Sequence, residues 1–195
     1  VDASFGMLRE ARRRALDGGL SVPVLQAYAE ALPVADAAYD RVMANHMLYH
    51  VPDQVRALRE MRRVLRPGGR VIMATNAADH MARLHELHCQ AAEALGYTPT
   101  TRVVDRFNLD NLPLVRSVFP DAERRILPNA LIFPSVDGAL QHYASGMIDA
   151  LRERPPNDSH RPKLLRLVKA RIEMIIEQEG VFRVPKDAGC FIAGA

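Results

Sequence analysis

Two short apolar segments, YDRVMA (39–44) and RVIMAT (70–75), flank PDQVRALREMRRVL (52–65), an amphipathic stretch with Val55, Leu58, Met61 and Leu65 spaced by three or four. That spacing predicts a helix with one buried face, and Pro52 stands where helix starts tolerate proline. RPGG (66–69) ends it in a sharp turn. Neither flanking segment shows the period-two alternation of a strand with one wet face. Strands covered on both faces read this way, so the unit is expected to be β-α-β in a parallel sheet sandwiched by helices.

The rest of the chain extends this order. Val1-Asp2 reads as the end of a buried strand, and MLREARRRAL (7–16) as a helix stopped by Gly18-Gly19. SVPVLQAYA (21–29) is a strand candidate that Pro23 restricts to its entry. Beyond residue 76 helices are expected at 80–95, 137–151 and 161–180, the last with Leu164, Val168, Ile172 and Ile175/Ile176 as its buried stripe. Residues 98–137, rich in proline, read as turns and short strands, and RERPPNDS (152–159) as a polar loop. FRVPKDAGCFIAGA (182–195) resembles a hairpin whose second arm is a terminal strand.

At 195 residues the chain is long enough for one substantial core, and a single domain over 1–195 is expected. The net charge of +3 could suit nucleic acid, yet the basic residues are interleaved with acids and aromatics are only 6%, so no such partner is indicated. No apolar run is long enough to cross a bilayer and no targeting segment is visible, so a cytoplasmic protein is expected. Cys89 and Cys190 match no metal or redox spacing and read as reduced, buried thiols. His85 and His88 in HELH lie one helical turn apart, but the spacing is not that of a zinc helix and no further ligand is in view; no metal is expected.

Several segments combine into a pattern: Asp2, Ser4 and Met7-Leu8; Ala29-Glu30-Ala31-Leu32-Pro33; Tyr39-Asp40; Asn45-His46-Met47-Leu48-Tyr49-His50; and Glu60 with Arg63-Val64-Leu65-Arg66-Pro67-Gly68-Gly69. In order and spacing the first 76 residues resemble class I S-adenosylmethionine-dependent methyltransferases, particularly the small-molecule group that includes the ubiquinone and menaquinone enzymes. The resemblance implies a Rossmann-like α/β sheet, mostly parallel with an antiparallel C-terminal strand, and places helical and irregular substrate-side elements within 77–180. It also implies S-adenosylmethionine as cofactor, with S-adenosylhomocysteine as product.

For the residues, the resemblance assigns cofactor binding to Asp2, Ala3, Tyr28, Ala29, Glu30 and Asn45. A carboxylate at the end of a parallel strand suits ribose hydroxyls, which is the role of Asp2. Ala29 would give a backbone N–H to the adenine. Tyr28 stands where the family often has Asp; it stacks or hydrogen-bonds on the nucleoside, or packs in the core. Asn45 lies near the methionine part of the cofactor or the acceptor, or caps the turn after its strand. His50 and His46 are the candidate general bases, histidine titrating near neutrality, although the second histidine of such segments often supports the fold. Tyr49, His80, His142 and Tyr143 are candidate acceptor-pocket residues.

The family's G-x-G-x-G loop is not in the sequence, Gly18-Gly19 following a helix and Gly68-Gly69 preceding a strand. The chain is therefore expected to be an N-terminally incomplete version of a longer protein, its first strand and helix missing, a unit of at least roughly 30 residues. The function expected is methyl transfer to an O, N or C nucleophile on a small molecule. The alternative is a methyltransferase-like binding or regulatory module without turnover. An NAD-type dehydrogenase fits less well, because the AEALP and N-H-x-L-x-H segments are foreign to it.

Overall fold

The computed structural model describes residues 1–195. It divides into two compact units. The first comprises Val1–Thr75, Leu109–Arg125 and Cys190–Ala195, the second Asn76–Asn108 and Ile126–Gly189.

The first unit opens with helix α1 (Phe5–Asp17), capped by the Ser4 hydroxyl accepting from the Met7 amide. Of its side chains only Leu8 is buried. Strand β1 (Tyr39–Asn45) follows, then helix α2 (Gln54–Val64), whose N-terminus is capped by Asp53 accepting from the Arg56 amide at 3.0 Å. Strand β2 (Leu65–Asn76) leaves α2 with no intervening loop. β1 and β2 are parallel, with Val42 opposite Val71 and Asn45 opposite Ala74. Completing the order β1-β2-β6-β3 are β3 (Glu123–Leu127) and β6 (Ala188–Gly194). The sheet is mixed, and the chain's last amide bonds back to the Gly69 carbonyl at 3.1 Å, near the start of β2. The core lies between α2, through Ala57, Leu58, Met61 and Val64, and the inner side chains Val71, Met73 and Phe191. The five-residue helix α4 (Leu112–Arg116) closes it with Val115 and the following Phe119.

Gly69 is fixed by close approach. A Cβ there would lie 2.9 Å from the Arg66 carbonyl oxygen and 3.1 Å from that of Asp40, and its neighbour Gly68 turns the chain at φ +77°.

In the second unit, α3 (Ala82–Ala94), α5 (Val136–Ala144) and the 20-residue α6 (His160–Glu179) pack around Leu84, Tyr143, Leu164, Val168 and Ile172. A two-stranded antiparallel ribbon, β4 (Ala130–Phe133) with β5 (Phe182–Pro185), pairs Phe133 with Phe182. α6 ends on Gly180 at φ +80°, the left-handed cap that glycine provides. No helix is long and apolar enough to cross a membrane.

Four expectations are corrected. SVPVLQAYA forms no strand: one isolated parallel bridge, Asp2 with Gln26, is its whole pairing, and Val22, Val24 and Leu25 are exposed. A lone rung gives no ladder, and Pro23 offers no amide to extend it. Val1 is likewise exposed, at 68%, rather than the end of a buried strand. The terminal hairpin does not form either. β5 pairs with β4 while β6 enters the four-stranded sheet, so two consecutive strands serve different sheets. The helix expected over 137–151 stops at Ala144, because the Ser145 hydroxyl takes the His142 carbonyl and Gly146 leaves helical geometry; a 3-10 turn at Met147–Asp149 follows.

Candidate functional site

Asp2 meets the segment before Tyr28 through backbone bonds, its N–H donating to Leu25 O at 3.2 Å and its carbonyl accepting from Ala27 N at 3.1 Å. The Ala3 carbonyl accepts from the Gln26 side chain at 3.0 Å. Asp2 itself is exposed, and its Oδ1 accepts the Ser4 amide at 2.7 Å, leaving Oδ2 unengaged. Residues 28–31 then form a β-turn closed by Ala31 N to Tyr28 O at 3.1 Å. In such a turn the two central amides have no partner within the turn, and here nothing else takes the N–H of Ala29 or Glu30. Tyr28 is 70% exposed, which removes the core-packing alternative.

This turn is held from below by α2. The Leu32 amide donates to Glu60 Oε2 at 2.9 Å. Arg63 grips Glu60 with both sides of its fork and reaches the carbonyls of Leu32 (2.9 Å) and Val34 (2.7 Å) and the carboxylate of Asp36 (2.7 Å). The guanidinium drops the Glu60 pKa to about 2 against the opposing effect of burial, with help from the Leu32 amide. Glu60 pushes the Arg63 value upward in return, aided by Asp36. The E-x-x-R spacing places both side chains on one helix face, where they act as one clamp. The Arg63 and Val64 carbonyls add backbone bonds to Ala37 and Ala38, at 2.9 Å each.

Asn45 ends β1 exposed, and His46 follows at φ +50°, its N–H bonded to Ala74 O at 2.9 Å. A non-glycine residue in the left-handed region carries strain of about 1 kcal/mol, held here by that bond. Met47 O accepts the His50 amide, closing the 3-10 turn Leu48–His50. Leu48 is buried beneath it, while His46 and His50 are exposed. Tyr49 is half-buried with its ring edge-on to His50 at 4.6 Å, and burial raises its phenol pKa.

The sequence-derived candidates His80, His142 and Tyr143 belong to the second unit. His80 is half-buried and its carbonyl accepts from Arg102. His142 packs on the Phe133 ring, and burial lowers its pKa, with Lys186 adding to the effect. Tyr143 is fully enclosed, its hydroxyl 2.8 Å from His88 Nδ1. His88 Nε2 lies 3.1 Å from the Ala150 carbonyl and must donate to it, so Nδ1 is the acceptor for the tyrosine proton. Burial raises the Tyr143 pKa and lowers that of His88, keeping both groups neutral. His85 sits one turn earlier, Nε2 3.2 Å from the Thr100 carbonyl. Together the two histidines of HELH fasten a short antiparallel contact, Pro99 with Leu151, from one helix face. Both cysteines are free and half-buried; the Cys89 Sγ lies 3.5 Å from His85 Nδ1, and burial raises its pKa.

Sequence reasoning missed a further cluster. Asp149 accepts from His160 Nε2 at 2.9 Å and from Arg161 at 2.6 Å, and Arg161 also reaches the Ala144 carbonyl. Burial works to raise the Asp149 carboxyl, but these two partners outweigh it and leave the pKa low. Asp149, Asp158 and His160 bring ligand-type atoms within 4.8 Å of one another. The charge of Arg161 on the same carboxylate already serves where a cation would. No spacing rule links 149 to 160, so local sequence carried no signal for it.

Residues 1–73 match the family described as Methyltransferase domain. The ubiquinone/menaquinone biosynthesis C-methyltransferase UbiE of Bordetella avium is 44% identical over 73 residues, which is 37% of this chain and 28% of that protein. The uncharacterized protein YafE of Escherichia coli is 33% identical over 129 residues, 57% of this chain and 60% of its own length. The chain thus spans less than two thirds of either relative. Among solved structures, a protein from Bacillus halodurans described as a candidate methyltransferase matches with a TM-score of 0.63 at 16% identity, covering 99% of this chain and 80% of that one. At that identity the likeness speaks for the fold. The family match is confined to residues 1–73, and over the whole chain the likeness is one of fold.

Proposed function

We propose that this chain, built on the class I methyltransferase fold, binds S-adenosylmethionine and passes its methyl group to an O, N or C nucleophile on a small molecule. The observation that carries the reading is the turn at residues 28–31. Its Ala29 and Glu30 amides are unengaged, it stands beside Asp2 through the Asp2–Gln26 bridge, and it is clamped by Glu60 and Arg63. These residues fit the nucleoside half of the cofactor. The free Oδ2 of Asp2 accepts a ribose hydroxyl, the Ala29 amide donates to an adenine nitrogen, and exposed Tyr28 offers a ring face for stacking. Ala3 and Glu30 shape the same corner, and Asn45 serves the methionine end.

When bound, the cofactor supplies an activated sulfonium methyl, so the protein need provide no covalent nucleophile. The chain's residues contribute position and proton control. His50, exposed and braced by Tyr49, takes a proton from acceptors that must lose one, with His46 as the second candidate. His80 and His142 remain the proposed acceptor contacts, whereas Tyr143 is enclosed against His88. A cytoplasmic location belongs to the same reading, supported by two free thiols.

Calorimetric titration with S-adenosylmethionine and S-adenosylhomocysteine tests this. Saturable heat in the micromolar range, abolished in Asp2→Ala, is expected; no saturable heat overturns the reading. Binding without methyl transfer to any small-molecule acceptor would instead leave the binding or regulatory module, which the tyrosine at position 28 favours.

A further inference from the structure

The segment 97–100 and the segment 150–152 of the second unit run antiparallel, joined by Thr100 N to Ala150 O at 2.8 Å and Arg152 N to Thr98 O at 2.9 Å. This contact is unusually well fastened for so short a pairing. Leu151 is buried at its centre, and α3 secures both sides, His85 at Thr100 and His88 at Ala150. Above it opens a cleft of about 560 Å³, lined by Tyr97, Thr98, Arg152, Glu153 and Arg154 and walled by Pro155-Pro156. All its lining residues belong to the second unit, and none is among the proposed cofactor residues.

Arg152 and Arg154 flank Glu153 where the chain bends, and both line the cleft. No hydrogen bond or ion pair occupies either guanidinium, although Arg154 is near enough to Asp149 to help hold that carboxyl down. The Thr98 and Tyr97 hydroxyls are also unengaged. Two arginine forks and two hydroxyls on a rigid frame form a donor array suited to a tetrahedral or planar oxyanion, for which guanidinium geometry is well matched. With Glu153 the lining carries two positive charges and one negative, a net of +1. That balance suits a compact anion rather than a polyanion. The volume falls within the range of small-molecule sites, roughly 300–1,000 Å³.

We infer that this cleft is a binding site for a small molecule bearing a phosphoryl or carboxylate group, held by Arg152, Arg154 and Thr98 on the Thr98–Arg152 pairing. The Arg152 and Arg154 side chains are exposed, so replacing them leaves the frame and its backbone bonds intact.

The test follows amide NMR shifts of the whole protein while glycerol 3-phosphate or citrate is added at constant ionic strength. Saturable shifts centred on Tyr97, Thr98 and Arg152 are expected, with affinity about tenfold or more weaker in Arg152→Gln/Arg154→Gln. Arg171→Gln, exposed on α6, controls for bulk charge and is expected to bind as the unaltered protein does. Saturation by glycerol 3-phosphate alone identifies a phosphoryl site, and by citrate alone a carboxylate site. No saturable shift with either below about 10 mM, or equal affinity in the double variant, overturns the inference.

Discussion

Arg63→Ala removes the fork that holds residues 32–36 and so tests whether that loop is the pivot of cofactor binding. Two charge-assisted bonds to carbonyls disappear, to Leu32 at 2.9 Å and Val34 at 2.7 Å, together with the grip on Glu60. At about 1.5 kcal/mol for each bond to a charged donor the gross loss is about 3 kcal/mol. The Arg63 side chain is 30% exposed, so water rehydrates part of what is freed. Alanine is also spared the roughly 1–2 kcal/mol of rotamer freedom that ordering the arginine costs. A net cost of about 1–2 kcal/mol remains, a factor of about 5 to 30 in the equilibrium between ordered and disordered loop. Affinity for a ligand that needs the ordered loop falls with the ordered fraction, by at most the same factor. Hydrogen exchange measures the first quantity at the Leu32 amide, and calorimetry with S-adenosylhomocysteine the second. Exchange should speed by about 5- to 30-fold and affinity fall by up to as much, and Arg63→Lys, which keeps charge but not the fork, should fall between. Unchanged exchange in a folded Arg63→Ala protein would refute the clamp. Exchange fast enough to show a mostly disordered loop, with unchanged affinity, would keep the clamp and refute its link to the cofactor.

His88→Leu leaves the buried Tyr143 hydroxyl without a partner and takes one of two donors from the Ala150 carbonyl, which keeps the Thr100 amide; it should cost about 2–3 kcal/mol in urea unfolding, whereas Tyr143→Phe should cost only about 1 kcal/mol. Because burial depresses the folded pKa of His88, its neutral form stabilises the protein above the ordinary value of 6.5. That contribution should fade as pH falls from 6.5 toward the depressed folded value. His88→Leu should lose this part of the pH dependence, while the contribution of Glu60, lost between its ordinary 4.5 and about 2, should persist. Gly69→Ala drives a Cβ against the Arg66 and Asp40 carbonyls and should lower thermal stability by about 2–3 kcal/mol, more than Gly68→Ala, where only the positive φ is strained. His50→Ala should lower kcat roughly 100-fold for an acceptor that must be deprotonated, with loss of the acidic limb of the pH–rate profile, and leave an acceptor that is already unprotonated unaffected.

The second half of the chain was the less legible, and His85 and His88 show why. Read by spacing they suggest a ligand pair; in the fold they fasten two backbone carbonyls, at residues 100 and 150, that no local pattern connects to them. The E-x-x-R of α2 was visible as a motif, but its work on Leu32, Val34 and Asp36 depends on where the intervening strand returns the chain.

The sequence by itself determined α2 with its buried stripe and the parallel pairing of β1 and β2, although the helix ends at Val64 and RPGG lies within β2. Each of these follows from hydrophobic period or chain stiffness within about twenty residues, which local physics sets. Tertiary structure alone decided that β5 and β6, separated by two residues, join different sheets, and that 21–29 pairs by a single rung. A strand's hydrogen-bonding edge accepts any compatible neighbour, so the choice rests on which distant segment packing brings alongside. β4 claims β5 by placing Phe133 against Phe182, and the edge beside β2 is left for the last strand of the chain.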